Sequence, residues 1–324
     1  MARRKQSKRR IGCIRLGIIM VMMLFVLSAV VFGLLVLLTP EPPAPPVPLP
    51  APATEAKAAA LYDANRGELL AEKNGVLRIY PASTTKVLTC IIALEEGQDK
   101  LNDPAVISDR AIRQDGTNIG LRRDMPISLR ELLYGMMLVS GNDSAVAVAE
   151  TTGGSYDRFV AMMNEKAVAI GAIHSHFANP NGLTDPDHYT SAEDMVKISA
   201  YAMKNPEFRD IVKRVTYPMT YMNGIYRDVE NRNEFLSSGY PGANGVKTGM
   251  TEAAGECLVA SAEQDGELLI VSLYDDEKRF EEVKVWLDFG FEMIRRRKAY
   301  EEALRREPPV YKFINQLMGK EPHE

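Results

Sequence analysis

Cysteine is scarce in this chain: Cys13, Cys90 and Cys257 are the only three in 324 residues. A disulfide scaffold needs a larger, even set in a short chain, so that class is excluded. Cys13 lies beside a long apolar run and Cys90 inside an apolar helical pattern, which suits isolated or buried thiols, with a Cys90–Cys257 bridge left open. Histidine is almost as rare. His174, His176 and His188 fall in one polar loop and His323 near the end, without the spacing of zinc ligands, so no metal or other cofactor is expected. Acidic residues are missing before Glu41, while Arg3, Arg4, Lys5, Lys8, Arg9, Arg10 and Arg15 crowd ahead of Leu16. The remainder is therefore more acidic than the net charge of −4 suggests. It lacks the clustered cations that phosphate binding requires, and no nucleic acid partner is expected.

What the chain does contain begins with a run from Leu16 to Leu38 without a charge, 23 residues. As a helix it spans roughly 34 Å, enough to cross a bilayer core. The basic segment 1–15 then stays on the cytoplasmic side, and the bulk of the chain is expected outside a cell membrane crossed once. A cleavable secretory signal is the competing reading, but its apolar region runs about 7–15 residues before a nearby small-residue site. Here Ala51-Pro52-Ala53 comes late and contains proline, so an anchor or uncleaved signal over 16–38 is favoured. Residues 40–52 hold eight prolines in thirteen positions. That composition predicts an extended spacer within a linker over 39–57, residues 40–52 alone reaching about 40 Å at 3.1 Å per residue.

The folded body is expected from Ala58. Ala60-Leu61-Tyr62 and Glu68-Leu69-Leu70 flank the turn signal Asn65-Arg66-Gly67, which reads as a hairpin. Helical patterns follow over Val87–Glu96, after the capping box Ser128-Leu129-Arg130-Glu131, over Ser144–Glu150 and over Tyr156–Ile170. A loop rich in Asn, Pro, Asp and Gly covers 171–190. Near the end, Cys257–Ala262 and Leu268–Tyr274 flank Gln264-Asp265-Gly266, a second hairpin, and Lys278–Arg296 closes as an amphipathic helix. Strands at both ends with helices between predict an α+β fold: one sheet built from the termini with a helical subdomain inserted.

Three short motifs carry chemistry. Ser83-Thr84-Thr85-Lys86 sets a hydroxyl and an amine one helical turn apart on one face, so the lysine can accept the serine proton if its pKa is lowered. A helix N-terminus there adds backbone N–H groups near a developing oxyanion. Ser140-Gly141-Asn142 projects a hydroxyl and a carboxamide from a tight turn, and Lys247-Thr248-Gly249 reads as a strand offering a cation, a hydroxyl and a gap. Each alone is met by an ordinary cap, turn or strand. Together, in this order and separated by 57 and 107 residues, they resemble the constellation shared by penicillin-binding proteins and serine β-lactamases.

With Pro81-Ala82-Ser83-Thr84-Thr85-Lys86, Ser140-Gly141-Asn142-Asp143, Asn231-Arg232-Asn233, Gly245-Val246-Lys247-Thr248-Gly249 and Ala254-Gly255 in place, residues 58–296 resemble the D-alanyl-D-alanine carboxypeptidases, low-molecular-mass penicillin-binding proteins of the bacterial envelope. The resemblance implies the serine β-lactamase/D,D-peptidase fold, an antiparallel sheet flanked by helices. It implies attack by Ser83 on the bond between two D-alanines of a peptidoglycan stem, with β-lactams as covalent inhibitors. By the same likeness Lys86 takes the Ser83 proton, Ser140 passes one to the leaving amine and Asn142 holds the substrate amide. The N–H groups of Ser83 and Met250 form the oxyanion hole, Lys247, Thr248 and Gly249 meet the terminal carboxylate and substrate backbone, and Lys247 depresses the pKa of Lys86. Arg279 matches a basic position near that carboxylate; a solvated helix arginine is the equal alternative.

A β-lactamase reading is disfavoured because residues 171–190 contain no Glu to activate water, and because Gly141 stands where those enzymes carry Asp. Cleavage of D-alanyl cross-links and non-catalytic binding of stem peptides remain alternatives. Many relatives continue with a β-rich domain, for which the tail 297–324 is too short. In that tail Val310, Phe313, Ile314, Leu317 and Met318 share one helical face, with Lys312 and Lys320 nearby. The face either packs on the body or lies on the membrane.

Overall fold

Strands from the two ends of the folded region meet in one sheet. The computed structural model describes residues 2–319, with side chains from residue 14 onward. Cys13 and the basic side chains before it, and Lys320 and His323, fall outside what is described. β1 (Ala58–Asp63) turns through Gly67, at φ +74°, into β2 (Glu68–Lys73). On its other edge β1 pairs antiparallel with β7 (Glu267–Tyr274), Ala60 facing Ser272 across the ladder. β6 (Gly255–Gln264) and β5 (Ala243–Thr251) complete the antiparallel order β2-β1-β7-β6-β5, which leaves β5 at an edge. β3 (Thr216–Thr220) and β4 (Tyr226–Glu230) form a separate ribbon.

Ten helices are described. α1 (Ala2–Leu38) contains a stretch, Ile14–Leu38, long and apolar enough to cross a membrane. α2 (Lys86–Glu96), α3 (Asp109–Ile112), α4 (Leu129–Tyr134), α5 (Asn142–Gly153), α6 (Tyr156–Ile170), α7 (Ala192–Ala202) and α8 (Pro206–Val212) lie between β2 and β3, and α9 (Arg279–Arg306) and α10 (Pro309–Leu317) follow β7. α2 is buried from Lys86 to Leu94, an apolar rod inside the core rather than an amphipathic surface helix.

The two faces of the sheet are covered by different helices. Ser272 Oγ donates to the Ala192 carbonyl at the start of α7, whereas the Gly290 backbone of α9 lies against Leu61 and Leu269. Alternation along β1 and β7 puts those contacts on opposite faces, so β6 is buried continuously from Cys257 to Ala262. The predicted sheet of termini with inserted helices is the one observed.

Several local expectations shift. Ser128 caps α4, accepting from the Glu131 N–H at 3.3 Å, but Glu131 does not reach back as a capping box would. Its carboxylate instead accepts from Tyr217 Oη and the Thr220 N–H of β3, at 2.8 Å each, because the ribbon packs on that helix. α4 then runs into a wide turn over Gly135–Val139 with i→i+5 bonding, and α5 begins at Asn142 itself. The closing helix passes residue 296 and ends at Arg306.

The chain divides into two units. Pro50–Met293 is one; the described residues through Leu49 together with those from Ile294 form the other. Within the second, Pro40 and Pro43 line a shallow groove with Ala303 and Tyr311, and α10 buries Ile314 while Val310, Phe313, Leu317 and Met318 stay exposed. Cys90 and Cys257 are buried free thiols in the first, so the bridge left open by sequence is not formed.

Candidate active site

Ser83 occupies a tight helical turn, Ala82–Thr85, that feeds directly into α2. Ala82 ahead of it is left-handed at φ +48°, a conformation costing a residue with a β-carbon about 1–2 kcal/mol. Lys86 opens α2 and its Nζ lies 2.7 Å from Ser83 Oγ, as one helical turn requires. Two further oxygens contact that nitrogen: Asn142 Oδ1 at 2.8 Å and the Asn181 carbonyl at 2.6 Å. A neutral amine has two N–H donors and one lone pair. With both donors spent on those acceptors, the lone pair is left for the Ser83 hydroxyl, the geometry of a general base.

The electrostatics favour that neutral form. Complete burial pushes the Lys86 amine well below its usual range, aided by the positive Lys247 and Arg232 and opposed by Asp143. Burial is thus the larger cause, ahead of the Lys247 charge expected to act. Lys247 is itself buried on β5 and lowered to about 7, again by burial first and Arg232 second, and its Nζ donates to the Thr248 carbonyl at 3.0 Å. Arg232 is held by a bond from Nη1 to Thr117 Oγ1 at 3.1 Å.

Asn142 has both ends engaged: Nδ2 donates to the Asp115 carbonyl at 2.7 Å, which fixes Oδ1 toward Lys86. Asp143 beside it accepts backbone N–H bonds from Ile119, Gly120, Leu121 and Ser144, all between 2.8 and 3.0 Å. Ser140, left-handed at φ +71° at the end of the wide turn, is nearly buried, and its hydroxyl takes no hydrogen bond among the described residues.

Gly249 is where β5 touches the Ser83 turn, since a β-carbon there would sit 3.1 Å from the Ser83 nitrogen and 3.2 Å from the Pro81 carbonyl. The gap therefore admits the protein's own backbone before any ligand. Thr248 is half-buried one position earlier, and Met250, one further, is exposed. Arg279 starts α9 and forms an ion pair with Glu256, the residue opposite Met250 in the ladder. Among the described residues no hydrogen bond or ion pair joins it to Ser83 or Lys86.

Sequence reading missed Asn181, which acts through its carbonyl and so leaves no side-chain signature, and Asp143, quoted only as part of a motif. It also treated His188 as a polar loop residue, whereas His188 is buried against Thr85. The turn signal at Asn179–Gly182 was the one available hint that this loop is ordered. Among the described residues, no group of His, Cys, Asp and Glu side chains could hold a metal ion.

The family model for D-alanyl-D-alanine carboxypeptidase, peptidase S11, matches residues 46–277. D-alanyl-D-alanine carboxypeptidase DacF of Bacillus subtilis is 35% identical over 249 residues, covering 73% of this chain and 62% of that protein. DacA of Escherichia coli is 33% identical over 251 residues, covering 73% and 61%. The chain thus spans about three fifths of the length of these curated relatives. Among solved structures, the D-alanyl-D-alanine carboxypeptidase from Mycobacterium tuberculosis superposes with a TM-score of 0.71 at 32% identity, over 77% of this chain and 96% of that one. A mutant of the Streptomyces K15 DD-transpeptidase gives 0.70 at 28%, over 74% and 99%.

Proposed function

Because this chain belongs to the D-alanyl-D-alanine carboxypeptidase family, peptidase S11, we propose that it is a penicillin-sensitive serine carboxypeptidase that removes the terminal D-alanine from peptidoglycan stem peptides. The observation that carries the reading is Lys86 Nζ held 2.7 Å from Ser83 Oγ and fixed there by Asn142 Oδ1 and the Asn181 carbonyl.

Ser83 Oγ adds to the penultimate D-alanine carbonyl as its proton passes to Lys86. The oxyanion forms near the Ser83 and Met250 N–H groups, and Thr248 and Lys247 face the terminal carboxylate. On collapse the C–N bond breaks, and the leaving amine takes the Lys86 proton through the Ser140 hydroxyl. For Asn142 to hold the substrate amide, its Nδ2 must give up its bond to the Asp115 carbonyl while Oδ1 stays on Lys86. Water then adds to the acyl-enzyme, with the proton returning along the same groups, and Ser83 is regenerated. The ion pair of Arg279 with Glu256 supports a role in shaping the far end of β5, so carboxylate recognition by Arg279 requires that pair to open.

The apolar stretch of α1 and the basic residues ahead of it support a single-pass anchor with the catalytic unit on the extracytoplasmic side, where stem peptides occur. A fluorescent penicillin should label the wild-type chain and not Ser83→Ala, and wild type should convert pentapeptide muropeptides to tetrapeptides with one alanine released. Label retained by Ser83→Ala would falsify the assignment of the nucleophile. Loss of cross-links without loss of terminal alanine favours an endopeptidase, rapid penicillin turnover a β-lactamase, and binding without either product a stem-peptide receptor.

A further inference from the structure

We propose that His188 is a positioning residue for the nucleophile: acting through Thr85, it orients the Ala82–Ser83 peptide and with it the Ser83 N–H and hydroxyl. The proposal rests on the carboxypeptidase reading and adds to it a residue with no part in the chemistry described above.

His188 is buried at 1% exposure in the loop between α6 and α7. The Ala178 N–H meets its Nδ1 at 3.0 Å, and a backbone N–H can only donate, so Nδ1 is the acceptor and Nε2 carries the proton. Nε2 donates to Thr85 Oγ1 at 2.8 Å, and the Thr85 hydroxyl donates onward to the Ala82 carbonyl at 2.9 Å. Donation therefore runs one way, from Ala178 through His188 and Thr85 to Ala82. Burial lowers the imidazole to about 4, which keeps it neutral and in this single tautomer near neutral pH.

The recipient is a strained residue. Ala82 holds φ +48° although it carries a β-carbon, so its geometry depends on what grips it. Gly182 of the same loop abuts the Ala82 carbonyl so closely that a β-carbon there would overlap it, and Gly249 of β5 lies against the Ser83 nitrogen. Those contacts exclude volume; the Thr85 hydroxyl supplies direction. A shift of the peptide would turn the Ser83 N–H away from the developing oxyanion and Ser83 Oγ away from Lys86.

The test uses the full chain in detergent, comparing wild type with Thr85→Val, His188→Phe, the double variant and His188→Gln. Saturating acylation by a fluorescent penicillin and the kcat and KM for D-alanine release are measured. Each single variant should lose roughly 10- to 100-fold in acylation rate and kcat with KM changed less than about threefold, as expected of misplacement rather than lost binding. The double should be no slower than the slower single, because both break one relay. Gln, whose amide N–H can stand near Nε2, should recover to within about fivefold of wild type. Losses that multiply, a change confined to KM, or a Gln variant as slow as Phe overturn the proposal. Thr85→Val is isosteric and decides the matter by itself should His188→Phe not fold. A wild-type chain that is never acylated overturns the carboxypeptidase reading and this proposal together, whereas normal acylation in wild type and both singles overturns only the positioning role.

Discussion

Lys86 illustrates how denying a side chain water suits it to the base role proposed for it. Complete burial first and the nearby Lys247 charge second disfavour its ammonium form, which shifts its pKa down and suits it to take the Ser83 proton. Acylation should therefore rise with pH as Lys86 loses its proton. Lys247 lowers Lys86 further by like charge. Lys247→Met, which keeps volume and removes the charge, should let the Lys86 pKa climb, moving the acid limb of the acylation–pH profile to higher pH. The rate at neutral pH should fall by about tenfold or more. A limb that stays in place would show that the two lysines do not communicate. Cys90 and Cys257 are the contrary case, since burial raises both thiols and leaves them inert at neutral pH.

At the level of elements, the site is a junction of four segments: the turn into α2, the wide turn into α5, the loop before α7 and the edge strand β5. Asp143 ties one of them down. Its carboxylate gathers the N–H groups of Ile119, Gly120 and Leu121 and that of Ser144, so the loop that holds Asn142 at Asp115 is fastened to the start of α5. Asp143→Ala would strand three loop N–H groups that now bond a charge, at a cost of about 3 kcal/mol or more. Urea unfolding should show that loss, and penicillin labelling should slow beyond what the unfolded fraction explains, since Asn142 loses its support. Unchanged stability would mean that water replaces the carboxylate at no cost. The elements themselves were largely legible beforehand: both hairpins, α6 from Tyr156 to Ile170 and the helix after Ser128 follow from turn residues, caps and apolar spacing. Misplaced boundaries have identifiable causes. α9 runs on to Arg306 because Arg and Glu continue a good helical sequence beyond the apolar pattern, and Glu131 left its capping box because Tyr217 and Thr220 offered better donors.

For the whole molecule, the unit Pro50–Met293 contains the sheet, the helical subdomain and every proposed catalytic residue. A chain lacking residues 1–38 should leave the membrane fraction while keeping its rate of penicillin acylation. Continued membrane association would assign an anchoring role to the exposed Val310, Phe313, Leu317 and Met318. By itself the amino-acid order determined the anchor-like helix, the proline-rich stretch, the α+β plan and the three motifs around Ser83, Ser140 and Lys247. Those properties are local: a charge-free run, a turn dipeptide or a hydroxyl one helical turn from an amine is written in neighbouring residues. Tertiary structure alone decided which acceptors meet the Lys86 amine, that burial outweighs Lys247 in lowering its pKa, that Gly249 makes room for Ser83 first, and that His188 is bonded to Thr85 beneath the Ser83 turn. Each of these joins residues 56 to 166 positions apart, or uses a backbone carbonyl that any side chain could have carried. Burial, direction and backbone identity emerge only when the chain closes on itself, and no pattern of neighbours encodes them.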